Sequence, residues 1–260
     1  YSAFLGPLRR LCPKQVFVGD LFRAMQYVQW ESFSAGGIIT PALVESAGME
    51  YYATGGKPGQ HPGWDTVCEH YTVRPGELTI VTGIPSHFKS TWLQNLCINL
   101  TTLHGWPIGI FSPEHAPTGE LVRSLAECYM RQTMTMMPPE MYRDAVTWVA
   151  NRFHPIIPQE DTTTPTLPWI LEQARQQITL YNIHGLIIDP WNEVDHQQWH
   201  AQAETQYISE SLSRIRRFAR AFGLHIWIVV HPRKPPIAQK GEYAGKVPPP
   251  TPYDAHGSAH

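Results

Sequence analysis

No stretch of the 260-residue chain approaches the roughly 18 consecutive apolar residues of a membrane-spanning helix, so no transmembrane segment is expected. The opening Tyr-Ser-Ala-Phe-Leu-Gly has neither the basic n-region nor the long apolar h-region of a signal peptide. It also lacks an initiator Met, so the chain reads as an excised fragment or a processed product. Cysteine is scarce. Cys12, Cys68, Cys97 and Cys128 show no C-x-x-C spacing and read as reduced thiols of a cytosol-like compartment. Net charge is nearly absent at −2, so bulk charge carries no nucleic-acid signal and any such binding has to come from local loops. Histidine is plentiful at 13, yet the only helix-spaced pair in a polar stretch is His196/His200, without the glutamate of a zincin. That pair reads as a polar loop. No internal repeat is visible.

What is present is apolar and aromatic: 42% hydrophobic and 11% aromatic residues can bury a substantial core. Residues 1–62 read as an N-terminal region, with a helix fitting Val18 to Trp30 behind an Asp20 cap and a Gly/Pro-rich linker over 54–63. From residue 63 to 260 strands and helices alternate. Strands are predicted over 77–82, 107–112, 153–158, 184–189 and 225–231. Helices are predicted over 89–103, 117–132, 138–151, 168–182 and 204–222. Such βα units in series imply an α/β fold, a mostly parallel sheet with helices on both faces and ligands at the carboxyl ends of its strands. Residues 233–252 are Pro-, Lys- and Gly-rich and read as a long loop.

The residues with chemistry fall at those strand ends. After the first strand comes Gly83-Ile84-Pro85-Ser86-His87-Phe88-Lys89-Ser90-Thr91, then a helical pattern. Strand, loop, Lys-Ser, helix is the layout of a phosphate-binding loop. Backbone N–H groups surround phosphate oxygens, Lys89 reaches the outer phosphates and Ser90 ligates Mg²⁺. The pattern calls for glycine at 88, where the chain turns tightly. Phe88 is expected to crowd the loop or to force a strained backbone, so that glycine there tightens nucleotide binding. The alternative is a relaxed loop with Phe88 packed outward against Trp92. Glu114, after the second strand, suits a base that orients the attacking water. Asp189, after the fourth, suits the carboxylate that holds Mg²⁺, and His231, after the fifth, a contact to the terminal phosphate. Trp191 reads as packing. Arg214, Arg216, Arg217 and Arg220 read as a solvated face.

Several stretches resemble one family: VRPGELTIVTGIPSHFKST, GIFSPEH, GLIIDPWNEVDH, ETQYISESLSRIRRFARAFGLHIWIVVHPRK and TPYDAHGSAH. Over residues 63–260 they are similar to the RecA-like helicase domain of Twinkle-like and phage toprim primase-helicases, within the DnaB-type hexameric group. The resemblance implies sheet order 3-2-4-5-1 and ATP or another NTP with Mg²⁺. It also implies a hexameric or heptameric ring of this chain on single-stranded DNA, with no membrane, in the cytoplasm of a bacterial or phage-infected cell. It makes Glu114 the base, Asp189 the Mg²⁺-associated acid and His231 the γ-phosphate sensor. Lys234, Lys240 and Lys246 would contact DNA in the channel. An arginine finger acting on the neighbour's nucleotide is expected beyond His260. Two other readings remain: a RecA- or RadA-type recombinase ATPase, and a degenerate nucleotide-binding assembly module, for which Phe88 is the main support.

Overall fold

The protein is described by a computed structural model over residues 40–55, 59–84, 87–113, 118–158, 164–194 and 204–232. The chain divides into two units between Pro58 and Gly59. In the first, one helix is described, α1 (Pro41–Thr54), which the sequence pattern did not announce. Its ends carry the signals. The Thr40 hydroxyl accepts from the Leu43 N–H, Pro41 sits in the first turn, and Gly55 closes the helix at φ 65°. Val44, Met49, Tyr51 and Tyr52 are all exposed, so no apolar stripe marks the helix. The helix expected over Val18 to Trp30 lies outside the described residues.

The second unit begins earlier than the expected linker ends. Gln60 and Val73 form an antiparallel bridge with N···O distances of 2.7 and 3.0 Å, and the Asn99 amide donates to the Pro62 carbonyl. Residues 59–63 are therefore strapped to the domain, which corrects the linker reading for that stretch. A short helix, α2 (Asp65–Cys68), follows.

Five strands then alternate with helices: β1 (Leu78–Thr82), α3 (Lys89–His104), β2 (Ile108–Phe111), α4 (Thr118–Met130), α5 (Pro139–Ala150), β3 (Phe153–Ile156), α6 (Leu167–Tyr181), β4 (Gly185–Ile188), α7 (Glu204–Phe222) and β5 (His225–Val230). All described strand pairs are parallel, in the order β1-β5-β4-β2-β3. Read from the other edge, this is the expected 3-2-4-5-1. Every residue of β2, β4 and β5 is buried, as parallel strands covered on both faces require. Alternation then sends side chains into two cores. Leu186, Ile188, Ile226 and Ile228 pack with α6 and α7, while Ile187, Trp227, Val229 and Ile110 pack with α3, α4 and α5. Gly185 admits the Trp227 ring, since a Cβ there would lie 2.6 Å from its Cζ3.

Candidate nucleotide site

The loop between β1 and α3 is built around an uncapped helix end. α3 has no side-chain cap hydrogen bond and no acidic residue in its first turn, so no acidic side chain there offsets the positive end of its dipole where it meets the loop. Lys89 folds back over it. Its ammonium donates to the carbonyls of Gly83 at 3.0 Å and Ile84 at 3.3 Å, and the His87 N–H closes a turn onto Ile84. Gly83 leaves room for this, because a Cβ would press on the Lys89 stem at 3.2 Å. At the last residue of β1 the Thr82 hydroxyl is buried with no hydrogen-bond partner among the described residues, a polar atom the sequence reading did not single out.

Phe88 takes φ 57° and ψ 28°, the left-handed conformation that glycine adopts freely in such loops. The strained-backbone expectation is met. Crowding is not its cause, because the ring is 76% exposed. Nor is Phe88 the partner of Trp92, which stacks on Trp64 with centroids 6.1 Å apart. A large residue here thus keeps the backbone path of the glycine it replaces.

The sheet order places the other candidates. β1, β5 and β4 are adjacent, with Thr82 opposite Val230 and Ile188 opposite Ile228. Gly83, His231 and Asp189 each continue one of these strands past its carboxyl end. Gly83 and His231 are thus about one strand spacing apart, and Asp189 lies on the next strand and two residues lower in register, roughly 12 Å from the loop's first residue. Asp189 is only 5% exposed, its N–H donates to the Phe111 carbonyl at 2.9 Å, and the Asp189–Pro190 peptide is cis. His231 is half-buried and Trp191 is buried in the core. Pro85, Ser86, Glu114, Lys234, Lys240, Lys246 and the His196/His200 pair lie outside the described residues. Among the described residues no cluster of three His, Cys, Asp or Glu forms a metal site, and no helix is long and apolar enough to cross a membrane.

A parallel five-stranded sheet of this order, with a Lys-Ser helix start after β1, defines a RecA-like domain. The chain belongs to the AAA domain family, which matches residues 65–236. It is 35% identical over 211 residues to a chloroplastic/mitochondrial Twinkle homolog protein of Arabidopsis thaliana, a match covering 78% of this chain and 28% of that protein. The chain thus spans little more than a quarter of that relative. Among solved structures, an ATPase domain is similar with TM-score 0.57 at 15% identity, covering 81% of this chain and 80% of that one. A DnaB-like replicative helicase, described with its interactions with primase, is similar with TM-score 0.56 at 11% identity, covering 95% and 62%. At those identities the structures speak for the fold.

Proposed function

We propose that the chain is the motor domain of a replicative DNA helicase that hydrolyses ATP or another NTP as a ring on single-stranded DNA. The observation that carries this reading is the loop at the carboxyl end of β1. There an uncapped helix, a lysine folded onto the loop carbonyls and a left-handed residue at the glycine position stand on the strand edge shared with His231 and Asp189. The likeness to a Twinkle homologue favours a helicase over a recombinase. The retained backbone path at Phe88 removes the main support for a degenerate module.

In this reading the N–H groups of Lys89, Ser90 and Thr91 bind phosphate oxygens, and the Lys89 ammonium exchanges its loop carbonyls for the outer phosphates. The hydroxyl of Ser90 and the carboxylate of Asp189 are hard oxygen donors suited to Mg²⁺, which would offset charge developing on the phosphates. Glu114 accepts a proton from the attacking water as the bond to the terminal phosphate breaks. His231 hydrogen-bonds that phosphate and relays its loss to the loop carrying Lys234, Lys240 and Lys246. The thiol content suits the cytoplasm of a bacterial or phage-infected cell.

The test pairs Mg-ATP calorimetry with DNA-stimulated ATPase and forked-duplex unwinding. Lys89→Ala is expected to lose binding and turnover together. Glu114→Gln is expected to keep binding and lose about 10²–10⁴ in turnover, the range of a general base. Wild-type protein that binds no nucleotide would overturn the reading.

A further inference from the structure

The C-terminal half of α7 carries four exposed arginines, Arg214, Arg216, Arg217 and Arg220, and the residues from 211 to 222 include no acid. Their spacing sets like charges side by side: Arg214 with Arg217 and Arg217 with Arg220 at i,i+3, Arg216 with Arg220 at i,i+4. Each such pair destabilises the helix that holds it. The helix dipole accounts for Arg220 alone, the only one of the four in the last turn. No ion pair relieves the others among the described residues. Glu210, one turn before Arg214, accepts instead from the Gln206 amide at 3.0 Å, and Glu77 pairs with Arg74. A cationic helix face with no ion-pair partner among the described residues is suited to an anion.

The shape supports this. Arg216 and Arg220 line an open pocket of about 500 Å³ with Pro75, Gly76, Leu78, Gly223 and Glu77, the one acid of the lining, whose carboxylate lies 3.9 Å from the Arg74 guanidinium. The pocket lies where β1 begins, on the rim of the sheet opposite Lys89, Asp189 and His231. It is neither the nucleotide site nor part of the loops beyond it. We propose that this pocket and the arginine face of α7 form a second contact for a nucleic-acid strand, bound through its phosphates. Guanidinium forks bind phosphate in two-pronged fashion, and no exposed aromatic anchor of the kind that centres a protein interface lines the pocket. The inference rests on the single-stranded DNA reading above for the identity of the strand.

The experiment measures anisotropy of a fluorescein-labelled oligothymidylate against salt. Arg216→Gln/Arg220→Gln is expected to lower the slope of log affinity against log salt by about 1.4, two phosphate contacts at about 0.7 each. Arg216→Lys/Arg220→Lys, which keeps the charge, is expected to retain the slope. The loop variant Lys234→Gln/Lys240→Gln/Lys246→Gln is expected to weaken binding independently. An unchanged slope in the double glutamine variant, with the loop variant still weakened, overturns this inference and leaves the DNA reading standing. Absence of oligonucleotide binding by the wild type overturns both. Equal displacement of the oligonucleotide by poly-glutamate at matched charge overturns the assignment to nucleic acid.

Discussion

Phe88 separates two effects that a motif comparison merges. Its left-handed backbone costs about 1–2 kcal/mol relative to glycine, and the cost is already present with Phe88 exposed and the loop folded around Lys89. Strain that exists before the ligand arrives cancels from the binding equilibrium and remains in the folding equilibrium. The expectation of tighter nucleotide binding on Phe88→Gly is therefore replaced. Relief of strain, less the roughly 0.5–1 kcal/mol of chain entropy that glycine forfeits, predicts a gain of about 1 kcal/mol or less in urea unfolding. The Mg-ATP Kd should stay within about threefold, less than 1 kcal/mol. Calorimetry showing more than tenfold tightening would restore the original account. The neighbouring Gly83→Ala should act the opposite way. Its Cβ would displace the Lys89 stem, so ATP binding weakens while urea stability changes little. These positions were legible in the sequence because loop chemistry is local. The buried Thr82 hydroxyl was not, since nothing in the order of residues says that a threonine at a strand end has no partner among the described residues.

The clearest consequence at the scale of elements lies where β1 meets β5. The His225 Nδ1 donates to the Arg74 carbonyl at 2.7 Å, which fixes the tautomer and leaves Nε2 as an acceptor. The Thr79 hydroxyl then donates to Nε2 at 2.9 Å, the Tyr71 hydroxyl to Thr79 at 3.0 Å, and the Trp227 indole N–H to Tyr71 at 3.0 Å. Every member points one way, and a proton on Nε2 would break the sequence. Burial accordingly pulls His225 down from 6.5 to about 4. The unfolded chain therefore takes up this proton first as pH falls. Stability from the neutral ring is full above about pH 6.5 and drains away between 6.5 and 4, on the order of 3 kcal/mol in all. Urea unfolding should show this slope in the wild type, and His225→Gln should lose that share of it. Equal slopes in the two proteins would refute the assignment. This network was invisible in the sequence because its members stand far apart in the chain. The strands were legible because β2, β4 and β5 are short apolar runs between helical patterns. α1 was missed because its apolar residues share no face and only Thr40, Pro41 and Gly55 mark it.

At the scale of the whole domain, the described residues at the start of α3 are open to solvent. Among the described residues His87, Phe88 and Thr91, which flank Lys89 in the chain, are exposed, while Asp189 is buried. A nucleotide held there by the uncapped end of α3 would keep one flank open to water, and an open flank weakens every charge interaction that stabilises the transferring phosphoryl group. In the ring reading a neighbouring subunit covers that flank and contributes a cation. Such an arginine is worth ~10³–10⁵ in rate, far more than any change within this chain's own loop short of losing Lys89. The sheet order that forms the rim came from the family resemblance, because strand spacing alone leaves several orders open. Turnover per chain should therefore be very low in dilute, monomeric protein and rise with assembly when the protein carries the arginine expected beyond His260, while the Mg-ATP Kd of the monomer stays measurable. Addition of a Lys89→Ala chain that carries the arginine expected beyond His260, and binds no nucleotide but retains its other surfaces, should raise the turnover of dilute wild-type protein by supplying neighbours. Sedimentation velocity run alongside the ATPase assay ties the rise to assembly. Constant turnover per chain from strict monomer to ring would show that the site is complete within one subunit and would exclude catalysis between neighbours.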